Sequence, residues 1–199
     1  MLTSIVLTKR RFLYLIYILF MRLLTCLNHP KYLLSALIAL FAALITPTAL
    51  AYDWTDGFDL SSKQGDHWSL IASPYTYHFH PSDEHKDVWL VGFERERADG
   101  SIAGAAFFSN SFGQESGYVF PWGQMYRGVF DQPQVYAQWT AGMLYGYRGK
   151  YQHKVPLNYG GFSPAIVPAL GWEFDSKQRV QVNLLGLNAV MFQFTQPFK

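Results

Sequence analysis

A histidine and a hydroxyl placed to meet are enough for acyl chemistry, because an imidazole can take the proton of a hydroxyl that attacks an ester. The sequence offers one such pair near the ends of two apolar runs, His78 and Ser111. His78 closes a stretch in which Tyr75, Tyr77 and Phe79 alternate with Thr76, His78 and His80. Ser111 ends a polar knot, Ser109-Asn110-Ser111, that follows Phe107 and Phe108. In strand geometry Ser109 and Ser111 share a face with Ala105 and Phe107, and Ile102, Ala106, Phe108 and Phe112 take the other. The expectation is hydroxyls inside and apolar side chains outside. Asn110 would then point outward unless the ladder ends or bulges there. With successive strands running up, down and up, His78 and Ser111 reach the same rim. Two strand spacings, ~10 Å, separate their backbones, so the side chains can meet only across a curved sheet.

The remaining polar clusters are weaker. His78, His80, Asp83, Glu84 and His85 have ligand types that suit zinc or nickel, but the segment contains Pro81 and offers no regular scaffold. A solvated acidic loop is the expected reading, and no metal is assigned. Gly113 to Gly117 is not a nucleophile elbow, since Ser116 is misplaced in it and no helix follows. There is no phosphate-binding loop or dinucleotide fingerprint, so no cofactor is expected.

The elements that must position the pair read as strands. Aromatic residues make up 18% of the 199 and charged residues 15%, a balance suited to a barrel with aromatic girdles. Five of the sixteen Lys and Arg residues (Lys9, Arg10, Arg11, Arg22, Lys31) precede Ala51, and all fourteen acids follow it. The remainder carries a net charge of −3, and no basic patch suggests nucleic acid. The single cysteine, Cys26, also precedes Ala51, which excludes a disulfide scaffold in the rest of the chain.

Residues 1–51 read as a targeting segment. Two apolar runs, Phe12 to Phe20 and Leu33 to Ala51, precede Ala49-Leu50-Ala51, a site of the signal-peptidase type, and Met21 is the expected start. The first run is short for a transmembrane helix and the second is broken by Pro47. Residues 52–66 read as a polar interfacial segment with room for one amphipathic turn carrying Trp54 and Phe58. Residues 67–199 read as about eight strands of alternating polarity. Asp99-Gly100 marks a two-residue hairpin turn of the type that needs positive φ. Val135 to Tyr147 gives the clearest alternation, with Trp139, Tyr145 and Tyr147 on the apolar face and Gln138 and Thr140 opposite. Phe162 to Phe174 carries Pro164 and Pro168, so this strand must be locally unpaired or the barrel must open there. The fold class expected is all-β: an eight-stranded antiparallel transmembrane β-barrel with a short N-terminal interfacial segment. A soluble sandwich would alternate too, but the export signal, the outward aromatics and a phenylalanine near the C-terminus favour the barrel.

Several stretches resemble the outer-membrane lipid A palmitoyltransferase (PagP) family. Asp66-His67-Trp68 through Pro74-Tyr-Thr-Tyr-His78 is similar to that family's first strand, and Gly104 through Phe112 to its third. Trp139-Thr-Ala-Gly-Met and Pro164-Ala-Ile-Val-Pro168-Ala-Leu-Gly also look like their counterparts. The resemblance implies an eight-stranded tilted barrel that moves a palmitoyl chain from a phospholipid donor to lipid A. It also implies a His, an Asp and a Ser at the outer rim. His78 matches the His and Ser111 the Ser, while Asn110 stands where the family has its Asp. Pro74, Pro164 and Pro168 resemble the family's prolines beside lateral openings through which lipid passes. The expected function is thus a cofactor-free, monomeric acyltransferase of a Gram-negative outer membrane. Its partners would be membrane lipids: a phospholipid donor and a lipid A-type acceptor. A non-catalytic barrel that binds lipid or stabilises the envelope is the alternative. N-terminal sequencing of the membrane fraction should find Tyr52 first; a product that keeps earlier residues would refute the cleavage site.

Overall fold

Alternating polarity requires that each strand separate an apolar face from a polar one, and eight such strands satisfy every edge only by closing on themselves. The computed structural model does this. It describes residues 55–59, 61 and 64–198. The expected targeting segment and its cleavage site lie outside them. Eight strands follow in chain order: β1 (His67–His78), β2 (Leu90–Glu96), β3 (Ile102–Ser109), β4 (Glu115–Arg127), β5 (Val135–Tyr145), β6 (Phe162–Glu173), β7 (Arg179–Leu185) and β8 (Ala189–Phe198). Each pairs antiparallel with its sequence neighbour, and β1 pairs with β8, which closes the barrel. Among the described residues before β1 there is one 3₁₀ turn, Asp56–Phe58.

The exterior is apolar. Tyr75, Tyr77, Trp89, Phe107, Tyr145 and Phe162 form an exposed aromatic belt near one rim. Trp172, Phe174 and Phe198 stand near the other, with Val91, Val119, Ile166 and Val182 between the belts. This is the surface a bilayer accepts and water does not. The interior carries Glu94, Gln138, Thr140, Gln181, Asn183, Gln193 and Thr195, all buried.

Two strands change face midway. In β1 the inward residues are Ser69, Ile71 and Ser73, and then Thr76. The register with β8 slips by one residue between Ala72 and Tyr75, at Pro74. In β4 the inward set passes from Ser116, Tyr118 and Phe120 to Met125. The slip against β5 falls between Val119 and Trp122, at Pro121. A proline has no N–H to place in a ladder, so each bulge sits where a ladder bond could not form.

The third strand is inverted relative to the sequence expectation. Phe108 is 9% exposed and Phe107 is 46% exposed. Ile102, Ala106 and Phe108 therefore line the interior, and the face shared by Ala105 and Phe107 looks outward. An apolar run with small residues on both faces has no polarity to fix its register. Its pairing with β2 decides, because Glu94 must point inward and lies opposite Gly104. Tyr147 also departs from expectation. β5 ends at Tyr145, Gly146 has φ 145°, and Tyr147 turns to line the interior cavity. A Cβ on Gly146 would stand 1.9 Å from Ser116 Oγ, so only glycine permits the reversal.

The end of the barrel opposite His78 is closed by charge. Arg179 is bonded to Glu94 and, at 2.6 Å, to Glu96; Arg127 joins Glu96 and Glu173. On the outside, Arg95 of β2 donates to the Asp59 and Ser61 carbonyls, which pins the segment preceding β1 to the wall. Phe58 packs edge-on against Trp122 at 5.7 Å. Asp99-Gly100 lies in a turn, but not the two-residue one expected. Only Gly100 takes positive φ, 82°, within a three-residue loop closed by the Gly100 N–H to the Arg97 carbonyl.

A charge on the lipid face should disturb folding far more than a change in the lumen. Val182→Arg is expected to cost about 2–4 kcal/mol between the belts, and Gln193→Asn much less, measured by urea titration of the barrel refolded into liposomes. Equal tolerance at both positions would mean that the faces are assigned wrongly.

Candidate active site

The bulge at Pro74 brings His78 to the inner face: continued alternation from Ser69, Ile71 and Ser73 would have aimed it at lipid. Ser111 lies just past the end of β3, in a turn that the Asn110 side chain builds. Asn110 Oδ1 accepts the N–H groups of Phe112 (2.9 Å) and Gln114 (3.1 Å), and Nδ2 donates to Ser116 Oγ at 3.1 Å. Gly113 closes the turn at φ 72°. This is the side-chain capping that suits asparagine to turns.

His78 Nε2 and Ser111 Oγ are 2.7 Å apart. Curvature thus closes the gap that separates β1 from β3 in a flat sheet. Tyr147 stands on the other side of Ser111. Burial pushes its phenol up, and a hydrogen bond with Ser111 partly offsets the rise. The ring of His85 covers His78 with centroids 4.3 Å apart. Phe112 meets His85 edge-on at 5.6 Å and stacks on Tyr151 at 4.1 Å. At the outer edge the exposed Glu84 pairs with Lys150 at 2.9 Å, and that hydrogen bond holds its carboxyl below the usual range.

Asn110 does not reach the imidazole. It is fully buried, pointing inward where the sequence aimed it outward, and both ends of its amide are engaged within its own turn. The sequence-predicted trio is therefore a hydrogen-bonded pair, His78 and Ser111, with Asn110 as the scaffold of the serine's turn. His85 and Tyr147 were not read as part of the site. His85 was grouped with candidate metal ligands, but among the described residues no three such side chains converge. Tyr147 was hidden by the alternation of β5.

The pair sits at the mouth of a cavity of about 630 Å³ that runs down the barrel axis, within the size range of sites for small molecules. Its upper wall is apolar, with Leu90, Phe108, Tyr118, Leu144, Val167 and Met191. Its floor is polar, with Gln138, Gln181 and Gln193 above Glu94. From Gln138 to Leu144, both of which line the cavity, β5 climbs six residues, ~20 Å along its length and ~16 Å along the barrel axis for a strand tilt of ~40°. That depth and the apolar wall suit a long alkyl chain.

The wall has two partial breaks at the rim. β1 pairs with β2 only as far as Ser73, opposite Leu90, and continues unpaired on that side to His78. β6 pairs with β5 throughout but with β7 only over Ala169–Glu173. Pro74 sits immediately above the first break, and Pro164 and Pro168 lie within the second. Proline costs nothing in a stretch whose donors face no partner strand. Of the two alternatives for β6, the structure therefore shows one-sided pairing.

No family model and no curated protein matches the chain. Among solved structures it is similar to one described as "De novo design of transmembrane beta-barrels", at 13% identity over 70% of this chain and 100% of that one, with a TM-score of 0.45. The barrel assignment rests on the chain's own closed ladder.

Asn110→Ala should cost about 1–3 kcal/mol by stranding two turn N–H groups and Ser116, whereas Asn110→Asp, which keeps the acceptor, should cost less. Denaturant midpoints of the two variants check this. Equal stability of Asn110→Ala and the parent would remove the scaffold role.

Proposed function

We propose that the protein is an outer-membrane lipid acyltransferase that moves a palmitoyl-like chain from a phospholipid to lipid A or a related lipid. The observation that carries this reading is the 2.7 Å contact between His78 Nε2 and Ser111 Oγ at the mouth of a deep cavity whose upper wall is apolar. The resemblance of the His78 and Ser111 segments to the lipid A palmitoyltransferases supports it. So does the pair's position at the rim of the two longest loops, 79–89 and 146–161, which in outer-membrane barrels is the outer face.

In this reading the donor's acyl chain fills the cavity, with its ester carbonyl at Ser111. His78 Nε2 takes the proton of the attacking hydroxyl as the new C–O bond forms. The bond to the lysophospholipid oxygen then breaks, and His78 returns the proton to that oxygen. Ser111 either orients the ester while the acceptor hydroxyl attacks it, or attacks first and holds the chain as a serine ester until the acceptor hydroxyl, deprotonated by His78, displaces the serine oxygen, which takes that proton back. Tyr147 supplies a second hydroxyl beside Ser111. The breaks beside Pro74 and beside Pro164 and Pro168 are the routes by which lipid passes between bilayer and lumen. No cofactor is needed for this exchange of esters.

A non-catalytic barrel that binds lipid is the second reading, favoured by one observation: Asn110 offers no carboxylate to the imidazole. A transporter is disfavoured, because the Glu94–Arg179 pair closes the far end of the cavity.

Palmitate transfer from labelled phospholipid in detergent tests the proposal, with heat-modifiable gel mobility as the folding control. His78→Phe and Ser111→Ala should each lower transfer by roughly 10²–10⁴-fold in a folded barrel. The double variant should lose little more, since groups acting as a unit are non-additive. Full activity in folded His78→Phe would sink the enzyme and leave the lipid-binding barrel.

A further inference from the structure

A histidine ring turns about a broad, roughly two-fold torsion, so a single hydrogen bond fixes it poorly. In Ser–His pairs a carboxylate on the far nitrogen does the fixing. His78 has no such partner: among the described residues neither an Asp nor a Glu is bonded to it, and Asn110 is spent on its turn. What touches the ring is His85, at 4.3 Å between centroids and 35° between planes.

His85 is itself held. Phe112 abuts it at 5.6 Å, and Phe112 is fixed by the stack on Tyr151 and by the Lys154 ammonium 5.5 Å over its ring. The main chain is tied on both sides. The His85 N–H donates to the Ser82 carbonyl at 2.9 Å, and the Lys86 N–H donates to the Ser111 carbonyl at 2.8 Å. The second bond joins the loop that carries His85 to the residue that carries the hydroxyl, so ring and hydroxyl keep a common frame. His85 Nδ1 is buried without a partner. Among the described residues the ring contacts to His78 and Phe112, not a hydrogen bond at Nδ1, are what hold this side chain.

We infer that His85 is a positioning residue: its ring is a shelf that sets the rotation of His78 and keeps Nε2 on Ser111. The orientation is a property of the free barrel. Only its kinetic consequence rests on the acyl-transfer reading.

The test uses the full-length barrel folded in detergent with ¹⁵N-labelled histidine. The His78 ring is identified as the imidazole signal whose hydrogen-bonded character disappears in Ser111→Ala. His85→Ala should abolish that signature while heat-modifiable mobility is retained, and His85→Phe, which keeps an aromatic shelf, should preserve it. In palmitate transfer, His85→Ala should lower kcat by roughly ten- to a hundredfold with KM little changed, and His85→Phe should recover most of the loss. If His85→Ala keeps the bonded signal, or His85→Phe loses it as completely, the shelf is refuted. A parent barrel that shows the signal and its loss in His85→Ala, yet transfers no acyl chain, refutes the enzyme and supports the positioning role.

Discussion

In a closed barrel every side chain faces either lipid or lumen, and the choice is set by counting in twos along the strand. One added residue reverses the count for everything beyond it. β1 contains such a residue at Pro74, where the register with β8 slips. Below the slip, odd-numbered residues face inward; above it, Thr76 and His78 do. The meeting of His78 with Ser111 depends on this slip. A regular β1 would present Tyr75 and Tyr77 to the lumen and the imidazole to lipid, at great desolvation cost to the histidine and loss of two belt aromatics.

The same proline ends a ladder. Past Ser73 the first strand has no partner on its β2 side, and over residues 162–168 the sixth has none on its β7 side. The rim is thereby held by six of its eight seams, while the far end, where the β3–β4 ladder stops at Gly104–Phe120 and resumes only as the Ser101–Gln124 bridge, is locked by the Arg179, Glu94 and Glu96 cluster. Burying that cluster is tolerable because each charge has an opposite partner within bonding distance. The barrel is thus closed below by charge and unseamed at two places above, with its cavity opening at that upper end.

Function on such a scaffold is carried by turns as much as by strands. Ser111 is placed by the hydrogen bonds of the Asn110 amide, Tyr147 by the reversal at Gly146, and His85 by a loop tied to the Ser111 carbonyl. Three loops converge on one hydroxyl. Each brings one ring or one oxygen, and the strands supply only His78.

Much of the architecture was legible in residue order. Period-2 polarity in β2, β5, β7 and β8 gives both the strands and their lipid faces, because a bilayer outside and a polar lumen inside impose the strongest contrast a strand can carry. That His78 and Ser111 end apolar runs at the same rim was legible too, but not the inward turn of Ser111: the Ala105 and Phe107 face assigned to it looks outward, and Ser111 reaches His78 only because β3 ends before it. Three further features lay beyond the sequence. The inward face of β3 was ambiguous because Ala105, Ala106, Phe107 and Phe108 differ in size but not in polarity, and the pairing with Glu94's strand decides it. The inward turn of Tyr147 depends on space beside Ser116 that exists only when β4 and β5 are paired. The stacking of His85 on His78 joins residues whose intervening loop has no periodicity to read. Local polarity fixes which side of a strand meets lipid; only closure of the barrel fixes which loops meet one another.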